Sequence, residues 1–159
     1  MNEPTLTHID KNGASRMVDV TKKGITERIA LAHAAVTMTT QTFSLIMDKQ
    51  VAKGDVLEVA RVAGIMAAKK TSELIPMCHP LNINSVKIDY TNNSKDIIEI
   101  TAEVKITAKT GVEMEALTAV SVCALTIYDM CKSADRSMQI SDIFLLKKSG
   151  GKSGIFEKK

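Results

Sequence analysis

Asp129 and Lys132 stand three residues apart at the end of a long uncharged run, a spacing that puts an acid and a base on one face of a helix. Side chains so placed pair and shift each other's proton affinity, and a paired acid and base suggests proton transfer to and from a bound molecule. The run before them, Ala116 to Tyr128, has thirteen residues without a charge, and its apolar members fall on every side of a helix. Such a helix is buried, with its polar ends beside something. At its start, Glu113 and Glu115 lie where the positive end of the helix dipole stabilises carboxylates. Asp129 lies near the opposite end, where the dipole disfavours an anion, so stability alone does not choose it. An ordinary helix-end ion pair is the simpler reading of Asp129 and Lys132, and the rest of the chain must decide.

Other residue types add candidates. The segment KSGGKSG, Lys148 to Gly154, sets three glycines among two lysines and two serines, so backbone amides and ammonium groups can face an anion together. It is no nucleotide-hydrolysing P-loop: the first glycine of that pattern would fall at Leu146, and no helix clearly follows. Cys78 and His79 are adjacent, and in an extended segment neighbours point to opposite sides, which makes them poor partners for nucleophilic work. His79 can still give a ligand a hydrogen bond or a proton. With three histidines and no spaced ligand set, a metal site is not expected. Lys53 sits in a turn, where loops present side chains to sites. Asp19, Lys23 and Arg28 say little when taken singly.

The elements that must hold these residues follow from periodicity. Met17 to Val20 reads as a short strand, and RIALAHAAVTM, Arg28 to Met38, as a strand in preference to a helix. Thr39 or Thr40 caps a helix to Met47, with Phe43, Ile46 and Met47 on its buried side. After a turn at Lys53 and Gly54, Asp55 and Glu58 form a capping box, and Val59, Val62, Ala63 and Met66 recur at helical spacing up to Lys70. Pro76 and Pro80 bracket a rigid loop carrying Met77, Cys78 and His79. Val86, Ile88 and Tyr90 alternate with polar residues, as do Ile98, Ile100, Ala102, Val104 and Ile106, giving two antiparallel strands with one wet face. The buried helix follows, then a last strand from Met138 to Leu146. This order predicts an α+β protein with the split βαββαβ arrangement of ferredoxin-like folds, an antiparallel sheet with helices packed on one face.

A chain of 159 residues, 45% apolar and 25% charged, fits one globular domain spanning residues 1–159, with a mobile start over about 1–13 and a basic, glycine-rich tail over about 147–159. Thirteen uncharged residues fall short of the ~20 that a bilayer needs, and the amino terminus lacks an apolar run behind basic residues, so a cytoplasmic protein is expected. Three cysteines, Cys78, Cys123 and Cys131, make no CxxC pair and no disulfide framework, and Cys123 reads as core. From Lys147 onward five lysines face one acid, Glu157, so the tail holds more than the whole net charge of +3. Such a tail attracts phosphates. Five aromatic residues offer few stacking platforms for nucleic acid, so a small phosphorylated ligand fits better.

Taken together, KGD at Lys53, PMCHPL at Pro76, TGVEMEALTA at Thr110, IYDMCK at Ile127 and KSGGKSG at Lys148 resemble the molybdenum-cofactor biosynthesis protein C family, the cyclic pyranopterin monophosphate synthases. The likeness runs from Thr7 to Gly154. It implies a lyase that takes cyclised dihydro-GTP, rearranges it into cyclic pyranopterin monophosphate and releases diphosphate. By matching position, Asp129, Lys132 and Lys53 are implied to be catalytic, and Lys148, Lys23, Arg28 and Lys152 to neutralise the phosphates. Met77, Cys78, His79, Glu113, Met114 and Glu115 are implied to line the substrate pocket, and Asp19 also matches a site position. No resident cofactor is certain, and Mg²⁺ accompanying the substrate phosphates stays open. The family is implied to be a hexamer of three dimers, with each site shared across a dimer interface. The alternative is a non-catalytic nucleotide-binding or regulatory module, because ferredoxin-like folds host both kinds of function. A nucleic-acid binder using the basic tail is a third reading, and it lacks the aromatic strand motif.

Overall fold

The computed structural model describes residues 8, 9, 12–152 and 154–158. Five strands form one sheet in the order β2-β3-β1-β4-β5, and every neighbouring pair is antiparallel. The strands are β1 (Thr26–Thr37), β2 (Ser85–Asn92), β3 (Ile97–Ala108), β4 (Gln139–Ser149) and β5 (Phe156–Glu157). Helices α1 (Thr40–Met47), α2 (Val56–Lys69) and α3 (Thr71–Leu74) fill the first crossover, and α4 (Glu113–Cys131) the second. With β3 between β1 and β2, and β1 between β3 and β4, this is the split βαββαβ arrangement the sequence predicts, an α+β ferredoxin-like fold with an added edge strand.

Alternation explains the layers. Ala30, Ala32, Ala34 and Val36 of β1 and Ile98, Ile100, Ala102, Val104 and Ile106 of β3 are buried beneath the helix layer, chiefly α4, while Ile88 of β2 is buried next to Gly64 of α2. Polar residues take the other face, where Lys87 pairs with Asp89 and Lys105 with Glu103. The small alanines of β1 let α4 lie close to the sheet.

Helix α4 is longer than its uncharged run. Its nineteen residues are long and apolar enough to cross a membrane by length and composition, yet it packs as the core helix between the sheet and α2. It is not buried all round, because Leu125 is 57% exposed. Its contact with α2 depends on Gly64. A methyl group there would lie 2.6 Å from Ile88 Cδ1 and 2.9 Å from the Ala119 carbonyl oxygen. Gly64→Ala is therefore expected to destabilise the fold by about 1–3 kcal/mol through overpacking, despite alanine's better helix propensity. Urea denaturation measures this, and an unchanged midpoint would refute the close contact.

The helix caps agree with expectation: Thr39 Oγ1 accepts from Thr42 N, and Asp55 Oδ1 accepts from Glu58 N. The reciprocal half of the expected box is replaced, since the Glu58 carboxylate pairs with Arg61 and the second Asp55 oxygen with Lys49. Three other expectations are corrected. Met17–Val20 is not a strand, because no neighbouring strand takes its backbone groups. The apolar stripe read on α2 points outward, with Val59, Val62 and Met66 exposed, and the buried side is Val56, Ala60, Gly64, Ala67 and Ala68. Met47 is likewise exposed, and Thr42 joins Phe43 and Ile46 on the buried side of α1.

The last strand runs three residues past Leu146, so Lys147 and Lys148 belong to β4 and only residues from Gly150 form the tail. The tail returns to pair Phe156 with Lys148 and Glu157 with Lys147 in the sheet. Of the expected mobile start, residues 1–7, 10 and 11 lie outside the described residues, as do Ser153 and Lys159 of the tail. Ile9 and Ser15 form an isolated bridge.

Candidate active site

Two clusters of functional side chains sit at opposite ends of α4. At its amino end lies a cavity of about 420 Å³, bounded by the loop after β3, the Pro76–Pro80 loop, the Val18–Lys23 segment and the end of β4. Lys23, Arg28, Met77, Cys78, His79, Glu113, Met114, Glu115 and Lys148 all line it, so nine of the residues expected near the substrate are brought together. Cys78 and His79 both reach it, where extended geometry had predicted opposite directions; a turn closed by Cys78 N and the Ile75 carbonyl bends the loop. The sequence reading missed Val18, Val20, Leu81, Thr110, Gly111 and His8. The first five are apolar or neutral and carry no chemical signal, and His8 stood in a segment without periodicity.

The cavity's charges are arranged in pairs. Lys148 Nζ donates to Glu113 Oε1 at 2.9 Å, with both side chains about 30% exposed. Glu115 is only 4% exposed, and burial first, then the Glu113 charge, push its carboxyl above the usual range. Two carboxylates two residues apart thus sit in different electrostatic settings, one paired with a cation and one desolvated. Burial, then Glu115, also push the Cys78 thiol up, so it is held as a thiol and not as a reactive thiolate. His79 Nε2 lies 2.9 Å from the Val18 carbonyl, to which it can only donate.

Arg28 is fixed by the backbone around it. Its Nε donates to the Ala108 carbonyl and one terminal nitrogen to that of Lys109, so the guanidinium bridges β1 to the loop before α4. Gly150 and Gly151 follow with φ of 95° and 72°, in the left-handed region. A Cβ on Gly150 would collide with the Glu27 carbonyl, and one on Gly151 with the Arg28 guanidinium. The glycine pair is therefore what lets the chain pass over Arg28. An adjoining cavity of about 500 Å³ is lined by Lys23, Gly24, Thr26, Arg28, Gly151 and Lys152. Lys23 and Arg28 face both cavities, giving one continuous cationic groove. Asp19 lies outside it: its carboxylate accepts from Thr21 N at 2.8 Å, and hydrogen bonding from the Thr21 side chain, then from its backbone, more than the Lys109 charge, holds it below the usual carboxylate range.

At the far end of α4, Lys132 Nζ donates to Asp129 Oδ1 at 2.7 Å, and Lys53 Nζ donates to the Asp129 carbonyl at 2.9 Å. The hydrogen bond and charge of Lys132, then the charge of Lys53, lower the Asp129 carboxyl, while Asp129 raises the Lys132 ammonium. Each thus keeps the other ionised. Lys53, Tyr128, Lys132, Ser133 and Arg136 line an open hollow of about 340 Å³ there. Behind it, the Asp135 carboxylate accepts from Ser137 and from Thr39 N, bonds that pull its carboxyl down to about 2 and fix the loop after the helix. Cys131 is buried core. Among the described residues, no three His, Cys, Asp or Glu side chains gather as a metal site.

From Glu113 to Asp129 the helix rises about 24 Å at 1.5 Å per residue. Within one chain, then, Lys53, Asp129 and Lys132 do not face the cavity lined by His79 and Glu113.

In this split βαββαβ protein two cations shared by adjoining cavities stand beside titratable groups, an arrangement suited to a small anionic molecule. Residues 17–151 match the model of the MoaC family. The chain is 62% identical to the cyclic pyranopterin monophosphate synthase of Magnetococcus marinus over 95% of its own length and 93% of that protein. It is 59% identical to the enzyme of the same name from Heliobacterium modesticaldum, covering 95% and 96% of the two chains, and 54% identical to synthase 1 of Mycobacterium bovis, covering 96% and 90%. The chain belongs to the MoaC family.

Proposed function

We propose that this protein is a cyclic pyranopterin monophosphate synthase, a lyase of molybdenum-cofactor biosynthesis. It converts 3',8-cyclo-7,8-dihydro-GTP into cyclic pyranopterin monophosphate and diphosphate. The observation that carries this is the near full-length match, at 62% and 59% identity, to proteins that bear the synthase name. The cavity chemistry agrees: a purine-derived triphosphate needs hydrogen-bond partners for its ring and cations for its phosphates.

Glu113 and Glu115 hold the guanine-derived ring, with His79, Met77, Cys78 and Met114 around it. Lys23, Arg28, Lys148 and Lys152 take the phosphates, and their charge offsets what accumulates on the departing diphosphate. A magnesium ion enters, where one is needed, on the substrate's phosphates. Asp19 supports the segment that carries Lys23. Lys53, Asp129 and Lys132 move protons during ring opening and closure.

These two sets cannot meet in one chain across about 24 Å of helix, and a second copy brings its α4 carboxyl end to the cavity of the first. Enclosure by that partner would remove water from the Asp129–Lys132 pair, which lies open in the single chain, and so strengthen the attraction between the two charges. Three such dimers make a hexamer. Closed assemblies of this kind need two different contact surfaces, and one apolar surface stands open, the Val59, Val62 and Met66 face of α2. The protein works in the cytoplasm, where its substrate's nucleotide precursor is made.

The test is diphosphate release measured alongside pterin formation, with freshly prepared cyclised dihydro-GTP under anaerobic conditions. Stoichiometric formation of both products is expected. Tight binding without turnover would favour the regulatory module instead.

A further inference from the structure

The Val18–Lys23 segment lines one wall of the cavity without being part of the sheet, and it ends in a turn over Thr21–Lys23. Val18 and Val20 turn inward to line the cavity, while Asp19 and Thr21 face outward. No strand lies beside it to take its carbonyls, so they are satisfied in other ways. The Val20 carbonyl accepts from Lys23 N in a tight turn. The Val18 carbonyl meets His79 Nε2 at 2.9 Å, and the Thr21 carbonyl accepts from Lys109 Nζ at 2.9 Å. The segment therefore hangs between two side chains supplied by distant parts of the chain. Asp19 stiffens the stretch between them by accepting from Thr21 N.

Lys109 is doubly engaged. Its own carbonyl accepts from the Arg28 guanidinium at 3.1 Å, so one residue ties the wall carrying Lys23 to the Arg28 side of the groove. Lys23 and Arg28 are the two cations shared by both cavities. The distance between them is set through Lys109 on one side and through the Val20–Lys23 turn on the other. The Lys109 ammonium itself lines neither cavity.

We propose that Lys109 is a positioning residue for anion capture, whose ammonium pins the Thr21 carbonyl and so holds Lys23 opposite Arg28 across the groove. This deepens the reading of the groove as a phosphate site and rests on it. Because the bond is exposed, water replaces it when the side chain is lost, so the fold survives while the wall loosens. Capture of the anion then suffers more than the chemical step, since a loosened wall must be ordered anew each time a ligand binds.

The probe is inorganic diphosphate, with Lys109→Met compared against Lys109→Arg, which keeps a donor at that position. Lys109→Met is expected to bind diphosphate about tenfold more weakly, the equivalent of one lost charge-assisted hydrogen bond. Its Michaelis constant should rise by a similar factor, with kcat within about twofold of the parent. Trypsin should cut it faster after Lys22 and Lys23, and the melting temperature should not move. Lys109→Arg should restore both the affinity and the resistance to trypsin. Unchanged diphosphate affinity in Lys109→Met would overturn the proposal, whatever the protease shows. A parent protein that binds diphosphate in a Lys109-dependent way, yet never turns over cyclised dihydro-GTP, would keep the strut and remove the synthase.

Discussion

Asp129→Asn is expected to lower turnover by roughly 10²–10⁴-fold, the range for removal of a general acid or base, while the melting temperature stays that of the parent. The expectation follows from where the side chain sits. Asp129 is exposed at the end of α4, and among the described residues its side chain pairs with Lys132, also exposed, so its loss leaves no buried group unsatisfied. Asparagine keeps the shape and can still accept from Lys132. What it cannot do is take up or release a proton. Substrate affinity should change by less than about tenfold, since the residues proposed to hold the ring and phosphates lie at the other end of the helix. A separate effect on the Lys132 ammonium is expected. Asp129 raises its proton affinity, so the variant's Lys132 should titrate at lower pH, and residual activity should shift its alkaline limb downward. An Asp129→Asn protein with normal turnover would remove the residue from the chemistry.

How much of this was legible in the sequence depends on whether the signal was local. The alternation in β2 and β3 was readable because one face of the sheet is wet and the other packs on α4. The Asp129–Lys132 pair was readable because helix geometry alone brings i and i+3 together. Its third member was not readable from helix geometry: Lys53 reaches the Asp129 carbonyl across 76 positions of sequence, and only its place in a turn and the KGD motif of the family resemblance marked it. Lys148 was read as a cation for phosphates, and the sequence did not show its pairing with Glu113, a carboxylate with which a phosphate bound there would compete. Asp19 was read as a site residue, and its carboxylate is used to hold its own loop.

The misreading of α2 has a different cause. Val59, Val62 and Met66 form the stronger apolar stripe, yet the helix buries the weaker one, because α4 approaches closely enough to admit only Ala60, Gly64, Ala67 and Ala68. Helical periodicity measures how apolar a face is, and it does not say whether that face meets its own core or another chain. The large side chains left outside are what a subunit contact would cover. Met17–Val20 failed for a related reason. Its alternation is real, since Val18 and Val20 do face inward, but they face a cavity and not a neighbouring strand.

The central claim is that one working site takes its binding groups from one chain and its proton-transfer groups from another. Mixed oligomers test it most directly. One chain carries Asp129→Asn, and the other carries Lys23→Ala with Lys148→Ala; each alone should be close to inactive at low substrate. Co-expressed under two different tags and purified through both as hexamers, they should recover roughly a quarter of parental activity, because about half of the dimers within randomly formed hexamers are mixed and each has one intact site of two. Activity no greater than the sum of the two parent variants would mean that both sets act within a single chain, and the two-chain site would be wrong.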